Sequence, residues 1–206
     1  MNPVFKFRSE EQFGYAMDII LNKRLYCADW RKMNDPMEGG AVPDVDKVYS
    51  GEIAYNKVVD VKQKLRICSL STTFNSHLLW AHYANGFKGM SIEVDVPVGL
   101  LTEVICTDDL SDNFPDTRDP ELIARECLRR KHAEWEYERE VRIIQHGQYV
   151  DNVLVRRVIV GHRMNKSLLK TLYKVCGLQD IEFCGLGFSG NEIVSLPING
   201  DGMIVD

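Results

Sequence analysis

Polar chemistry concentrates in Trp135-Glu136-Tyr137-Glu138-Arg139-Glu140-Val141-Arg142. In extended backbone, side chains alternate faces with period two. Glu138, Glu140 and Arg142 then share one face, while Val141 and Ile143 take the other. Carboxylates two residues apart on one face sit roughly 6–7 Å from each other, so they can flank one small ligand without touching. Removed from water, each raises the proton affinity of the other, and Arg142 pulls the opposite way. Such a pair can orient a hydroxyl and stabilise a developing cation. The same residues also fit a solvated strand face with a salt bridge.

A second concentration is Leu79-Trp80-Ala81-His82-Tyr83. Ser76, Trp80 and Tyr83 share one helix face by their i, i+4, i+7 spacing. The Trp80 indole suits stacking on a planar ring and equally suits filling a core. His77 and His82 lie about 140° apart around a helix, which is not the i, i+4 geometry of a metal pair. No metal set is expected. Asn34-Asp35-Pro36-Met37-Glu38-Gly39-Gly40 reads as an ordered loop, with Asn34 and Asp35 as turn builders or ligand contacts.

These residues sit in a chain of 206 with 45% hydrophobic and 27% charged residues and a net charge of −5. That excludes a disordered, collagen-like or fibrous chain, and a uniformly basic nucleic-acid coat. No apolar run reaches the length of a membrane helix, and Lys6, Arg8, Glu10 and Glu11 interrupt the start, so a cytoplasmic location is expected. The six cysteines form no C-x-x-C pair and read as reduced core thiols. From Glu121 to Lys174, twelve Lys/Arg stand against seven Asp/Glu, leaving the remainder at −10. This local positive field could attract phosphate, or be a solvated helix face.

The elements that must position these groups alternate in type. Strands are expected at Val4–Arg8, Leu25–Ala28, Arg66–Leu70, Gly89–Val94, Leu101–Thr107, about Arg139–Gln145, Val155–Val160, Ile181–Cys184 and Glu192–Ile198. Helices are expected after Ser9, up to about Lys64, from Asn75 or Ser76 to Gly86, from Pro120 to about Ala133, and over Lys166–Cys176. The aspartates of 108–120, Asp112 among them, lack calcium-loop order and read as a solvated loop. The pattern predicts one α+β domain over residues 1–206, with a mixed, largely antiparallel sheet and flanking helices.

The order of segments resembles domain-of-unknown-function family 2971, found in bacteria and phages. The matching residues are Phe5-Lys6-Phe7-Arg8, Asn34-Asp35-Pro36-Met37-Glu38, Cys68-Ser69-Leu70-Ser71, Leu78-x-Trp80-x-x-Tyr83 with Lys88-Gly89, and Trp135-x-x-Glu138-x-Glu140-x-Arg142. Met37 stands where the family has an aromatic residue. A more distant resemblance is to ADP-ribosyltransferases, through Arg8, Ser71-Thr72-Thr73 and Glu138-Arg139-Glu140 in that order. The middle motif departs from Ser-Thr-Ser. This resemblance implies split sheets and an enzyme that takes NAD as substrate and modifies a macromolecule, protein or nucleic acid, in a setting such as phage–host conflict. It implies that Arg8 contacts the NAD phosphates or ribose, Ser71 and Thr72 brace the site, and Trp80 or Tyr83 stacks on nicotinamide. Glu140 would hold the ribose hydroxyl and the oxocarbenium-like charge, Glu138 would orient the acceptor, and Arg142 would join the NAD-binding set. Two other classes stay open: a metal-dependent phosphodiester hydrolase using Glu138 and Glu140, and a non-enzymatic sensor or interaction module.

Overall fold

The computed structural model describes residues 3–43, 45–97, 99–111 and 113–205. In chain order its strands are β1 (Val4–Arg8), β2 (Leu25–Tyr26), β3 (Ala28–Asp29), β4 (Arg66–Ser71), β5 (Met90–Asp95), β6 (Leu101–Glu103), β7 (Ile105–Thr107), β8 (Arg130–His132), β9 (Glu140–Gln145), β10 (Tyr149–Val150), β11 (Leu154–Val160), β12 (Glu182–Ser189) and β13 (Glu192–Pro197). Its helices are α1 (Phe13–Asn22), α2 (Val45–Tyr49), α3 (Tyr55–Lys64), α4 (His77–Tyr83), α5 (Pro120–Leu128) and α6 (Lys166–Leu178). The result is an α+β architecture with mixed, largely antiparallel strand pairing and flanking helices. The chain forms two compact units: Met1–Leu25 with Leu70–Gly99 and Val150–Asp206, and Tyr26–Ser69 with Leu100–Tyr149.

In the first unit the strand order is β13-β12-β11-β5-β1. Pairing is antiparallel except between β11 and β12, which are parallel and joined through α6, the crossover such a pair requires. Phe5 and Phe7 of β1 pack with Leu79, Trp80 and Ala84 of the α4 region and with Ile159 and Leu186. The Ser76 hydroxyl caps α4 by accepting from the Leu79 amide. At Gly89 a Cβ would lie 2.1 Å from the Arg8 carbonyl oxygen, so a glycine is required where residue 89 meets the end of β1.

In the second unit β4 lies between β3 and β9, and β6 extends β9 on its other side. β7 and β8 form a separate parallel pair. Helices α3 and α5 pack on each other, and Val58, Leu65, Ile67, Ile123, Cys127 and Leu128 make the core. The six cysteines are free thiols, all buried except the half-buried Cys106. No helix among the described residues is long and apolar enough to cross a membrane.

Four elements depart from expectation, the first being Leu25–Ala28, which breaks at Cys27 into β2 and β3. Leu101–Thr107 breaks at Val104 into β6 and β7. Helix α5 stops at Leu128 instead of Ala133, because Arg129-Arg130-Lys131-His132 offers no apolar residue to continue its buried stripe. Arg130 and Lys131 are themselves buried, on Glu126 and on Glu138 with Glu140, and the segment runs extended as β8. Ala133–Glu138 is a 3-10 helix, and Arg139 at φ 44° turns the chain so that β9 begins only at Glu140. Strand alternation therefore does not reach Glu138. In the acidic loop Asp119 accepts from the Glu121 amide and caps α5, while Asp112 lies outside the described residues.

Candidate functional site

The site in the second unit is assembled by a loop, a strand and a 3-10 turn. The Asp35 carboxylate accepts from the Met37 amide at 2.9 Å, and the Glu38 amide donates to the Asp35 carbonyl at 3.1 Å. The turn-building role expected of Asp35 is what the loop uses. Gly39 follows at φ +63°, with the Trp30 ring so near that a Cβ would lie 3.0 Å from it. Buried Lys62 donates to the Gly39 carbonyl at 2.6 Å and sits over the Trp30 ring. These contacts fix the loop and turn the Glu38 side chain inward.

There Glu38 meets Arg142, which projects from β9 and is 0% exposed. The Arg142 Nη1 donates to Glu38 Oε1 at 2.6 Å and to the Leu128 carbonyl at 2.5 Å. Its Nη2 donates to Glu38 Oε2 at 2.8 Å and Glu140 Oε2 at 3.0 Å, and its Nε donates to Glu140 Oε1 at 2.8 Å. All five N–H groups of the guanidinium are thereby used. On the other side Lys131 Nζ donates to Glu138 Oε2 at 2.5 Å and to Glu140 Oε2 at 3.0 Å, and lies 4.7 Å from the centre of the Trp135 ring. Glu138 and Glu140 do flank one small group, as two carboxylates can. That group is the ammonium of Lys131.

The electrostatics follow from this packing. Burial pushes the Glu140 carboxyl up, but Arg142, Lys131 and the hydroxyl of Ser69 together outweigh it and bring the group down to about 2. Burial pulls Lys131 down and Glu140 and Glu138 more than restore it, so it stays protonated. Arg142 is likewise raised against burial by Glu140 and Glu38. Glu38 goes the other way: its burial exceeds what Arg142 returns, and its carboxyl lies above the ordinary value. The cluster is three carboxylates on two cations. Glu140 is the member touched by both cations.

The remaining sequence candidates belong to the first unit. Arg8 ends β1 with its guanidinium 5.7 Å from the Tyr15 ring centre. Ser71 is buried at the end of β4 and its hydroxyl accepts from the Thr73 amide, while Thr72 is exposed. Tyr83 is half-buried beside the aromatic core. Trp80 and Arg142, expected among the NAD contacts, are both fully buried. Trp80 is 0% exposed, its indole N–H donates to the Phe74 carbonyl at 2.7 Å, and Phe7 and Phe87 pack against its ring. Arg142 has no N–H left to offer a phosphate. Trp80→Phe, which orphans the Phe74 carbonyl, is expected to cost about 1–3 kcal/mol, read as a lower urea midpoint at unchanged slope. A cost near zero would show that the bond to the Phe74 carbonyl does not hold the fold.

No family model matches the chain, nor does any curated protein or solved structure.

Sequence reasoning passed over three participants. Lys131 stood inside a basic cluster, Ser69 lay two residues ahead of the Ser71-Thr72 pair, and Glu38 was only one residue of a loop. The basic excess of residues 121–174 is also largely spent internally. Arg142 pairs with Glu38, Arg156 with Asp95, Arg157 with Glu93 and Lys170 with Asp201, all acids outside that segment. Among the described residues, no group of three or more His, Cys, Asp or Glu side chains converges as metal ligands do.

Proposed function

We propose that the chain is an NAD-consuming enzyme of the ADP-ribosyltransferase type, in which Glu140 stabilises the oxocarbenium-like charge formed as nicotinamide leaves. The observation that carries this reading is the buried Glu140 carboxylate held between the Arg142 guanidinium and the Lys131 ammonium, contacts that bring its carboxyl down to about 2. A carboxylate that cannot take a proton near neutral pH is a poor general base but a good electrostatic partner for a developing cation. In the reaction the bond between ribose C1′ and the nicotinamide nitrogen breaks, its electron pair leaves with nicotinamide, and a nucleophile then bonds to C1′.

A carboxylate has roughly four lone-pair positions. At Glu140 three of them are taken, by Arg142 Nε, Arg142 Nη2 and Lys131 Nζ. A ribose hydroxyl would reach Glu140 on the Lys131 side, because Lys131 holds it by one contact and has Glu138 to remain on, whereas Arg142 holds it by two. The hydrolase reading is less well supported, since the two carboxylates a metal would need already share one ammonium. The non-enzymatic reading draws on one specific observation: a network this full also serves the fold with no substrate at all.

The test incubates the protein with NAD, with and without cell lysate, and measures free nicotinamide and labelled macromolecule. Wild type is expected to release nicotinamide, and Glu140→Gln, with its thermal unfolding checked, to lose about 100–1000-fold in rate. Absence of nicotinamide release by wild type in both conditions would leave the interaction module as the better reading.

A further inference from the structure

We infer that Glu38 is a positioning residue for Glu140, acting through the guanidinium of Arg142. The inference rests on the reading of Glu140 given above, and its geometry is independent of NAD. Glu38 and Arg142 are 104 residues apart in the chain and meet through two hydrogen bonds, 2.6 and 2.8 Å long. A planar guanidinium gripped along one edge by a carboxylate cannot rotate, and its other edge is thereby aimed. That other edge, Nε with the second hydrogen of Nη2, is the one that grips Glu140. The plane of the Glu140 carboxylate therefore follows from the placement of Glu38.

Glu38 is well built for the task. The Asp35 turn delivers it on one side, and the Lys62 bond to the Gly39 carbonyl holds the chain on the other. Gly39 lies in the left-handed region against the face of Trp30, so the backbone leaving Glu38 has little freedom. The side chain of Glu38 is 3% exposed, and water does not compete for its oxygens. The Asn-Asp-Pro-Met-Glu segment, legible in the sequence as a loop without a purpose, gains one here. It is the outer jaw of a clamp whose inner jaw is Glu140.

Three measurements test this. In wild type, ¹⁵N spectra of the Arg142 side chain should resolve its two Nη groups separately, because rotation about Cζ–Nε is blocked. In Glu38→Gln, which sets an amide N–H against a guanidinium N–H, the two signals should merge or broaden. In the same variant nicotinamide release should fall about a hundredfold in kcat, the size expected for a misplaced catalytic group, with KM for NAD changed less than about threefold. Glu38→Asp, one methylene shorter, keeps the charge and should fall between the two. A merely structural role would lower stability in each variant without splitting kcat from KM. Averaged Nη signals in wild type, or separate Nη signals retained in folded Glu38→Gln, would overturn the proposal whatever happens to NAD. Conversely, blocked rotation in wild type and its release in the variant, in a protein that leaves NAD untouched, would retain the clamp and remove the transferase.

Discussion

Arg142→Met should cost the fold about 3–5 kcal/mol at pH 7, the usual price of leaving buried charges without their partner. Methionine fills much of the vacated volume, so little of the loss is cavity. The loss comes from Glu38 and Glu140, which remain inside with their bidentate donor gone. Urea unfolding at pH 7 measures it. The cost should shrink toward pH 4, where both carboxylates can enter the fold protonated. The wild type should behave in the opposite sense at acid pH. The folded value of Glu140 lies below its ordinary 4.5, at about 2. Its ionisation therefore stabilises the fold above about 4.5, and that contribution is lost as pH falls from there toward about 2. Arg118→Met is the control: its pair with Glu52 is exposed, with side-chain exposures of 74% and 46%, and its loss should stay within about 0.5 kcal/mol. An Arg142→Met variant as stable as that control would show that the network does not hold the unit together.

Why the clamp was invisible before the fold is itself physical. Hydrophobic periodicity reports which face of an element is buried when the inward residues are apolar. It served well for β1, where Phe5 and Phe7 are buried, and for α4, where Ser76 is the cap and Trp80, on the expected face, is buried. It failed at residues 129–132, where the inward residues Arg130 and Lys131 are charged and so read as a solvated helix face. Their burial depends on Glu126, Glu138 and Glu140 being in place to neutralise them, which a one-dimensional pattern does not encode. The Glu138 and Glu140 pairing was legible as chemistry, two acids around one small group. Its occupant was not, because Lys131 reaches it only once α5 ends early and the 3-10 turn brings Glu138 back. Glu38 was legible as part of a turn, while its partner lay on a strand more than a hundred residues away.

The second large effect separates Lys131 from Arg142. In Lys131→Met, Glu138 and Glu140 keep their places but lose the ammonium between them. Two buried carboxylates without a cation cannot both stay ionised, and the one not gripped by Arg142, Glu138, should take up a proton. A carboxyl whose folded value is raised contributes stability that is present at low pH and lost as pH rises through that value. The variant should therefore lose about 3–5 kcal/mol at pH 8 and roughly 1–2 kcal/mol less than that at pH 5. Chemical denaturation at the two pH values reads the difference directly. Adding Glu138→Gln removes the group that needs the proton, so the double variant should recover much of the pH 8 loss and show no such slope. Non-additivity of that kind is what one shared ammonium predicts for Lys131 and Glu138. If Lys131→Met were equally destabilised at both pH values, and Glu138→Gln simply added to it, the two carboxylates would not be coupled through Lys131, and Glu140 would owe its ionised state to Arg142 and Ser69 alone.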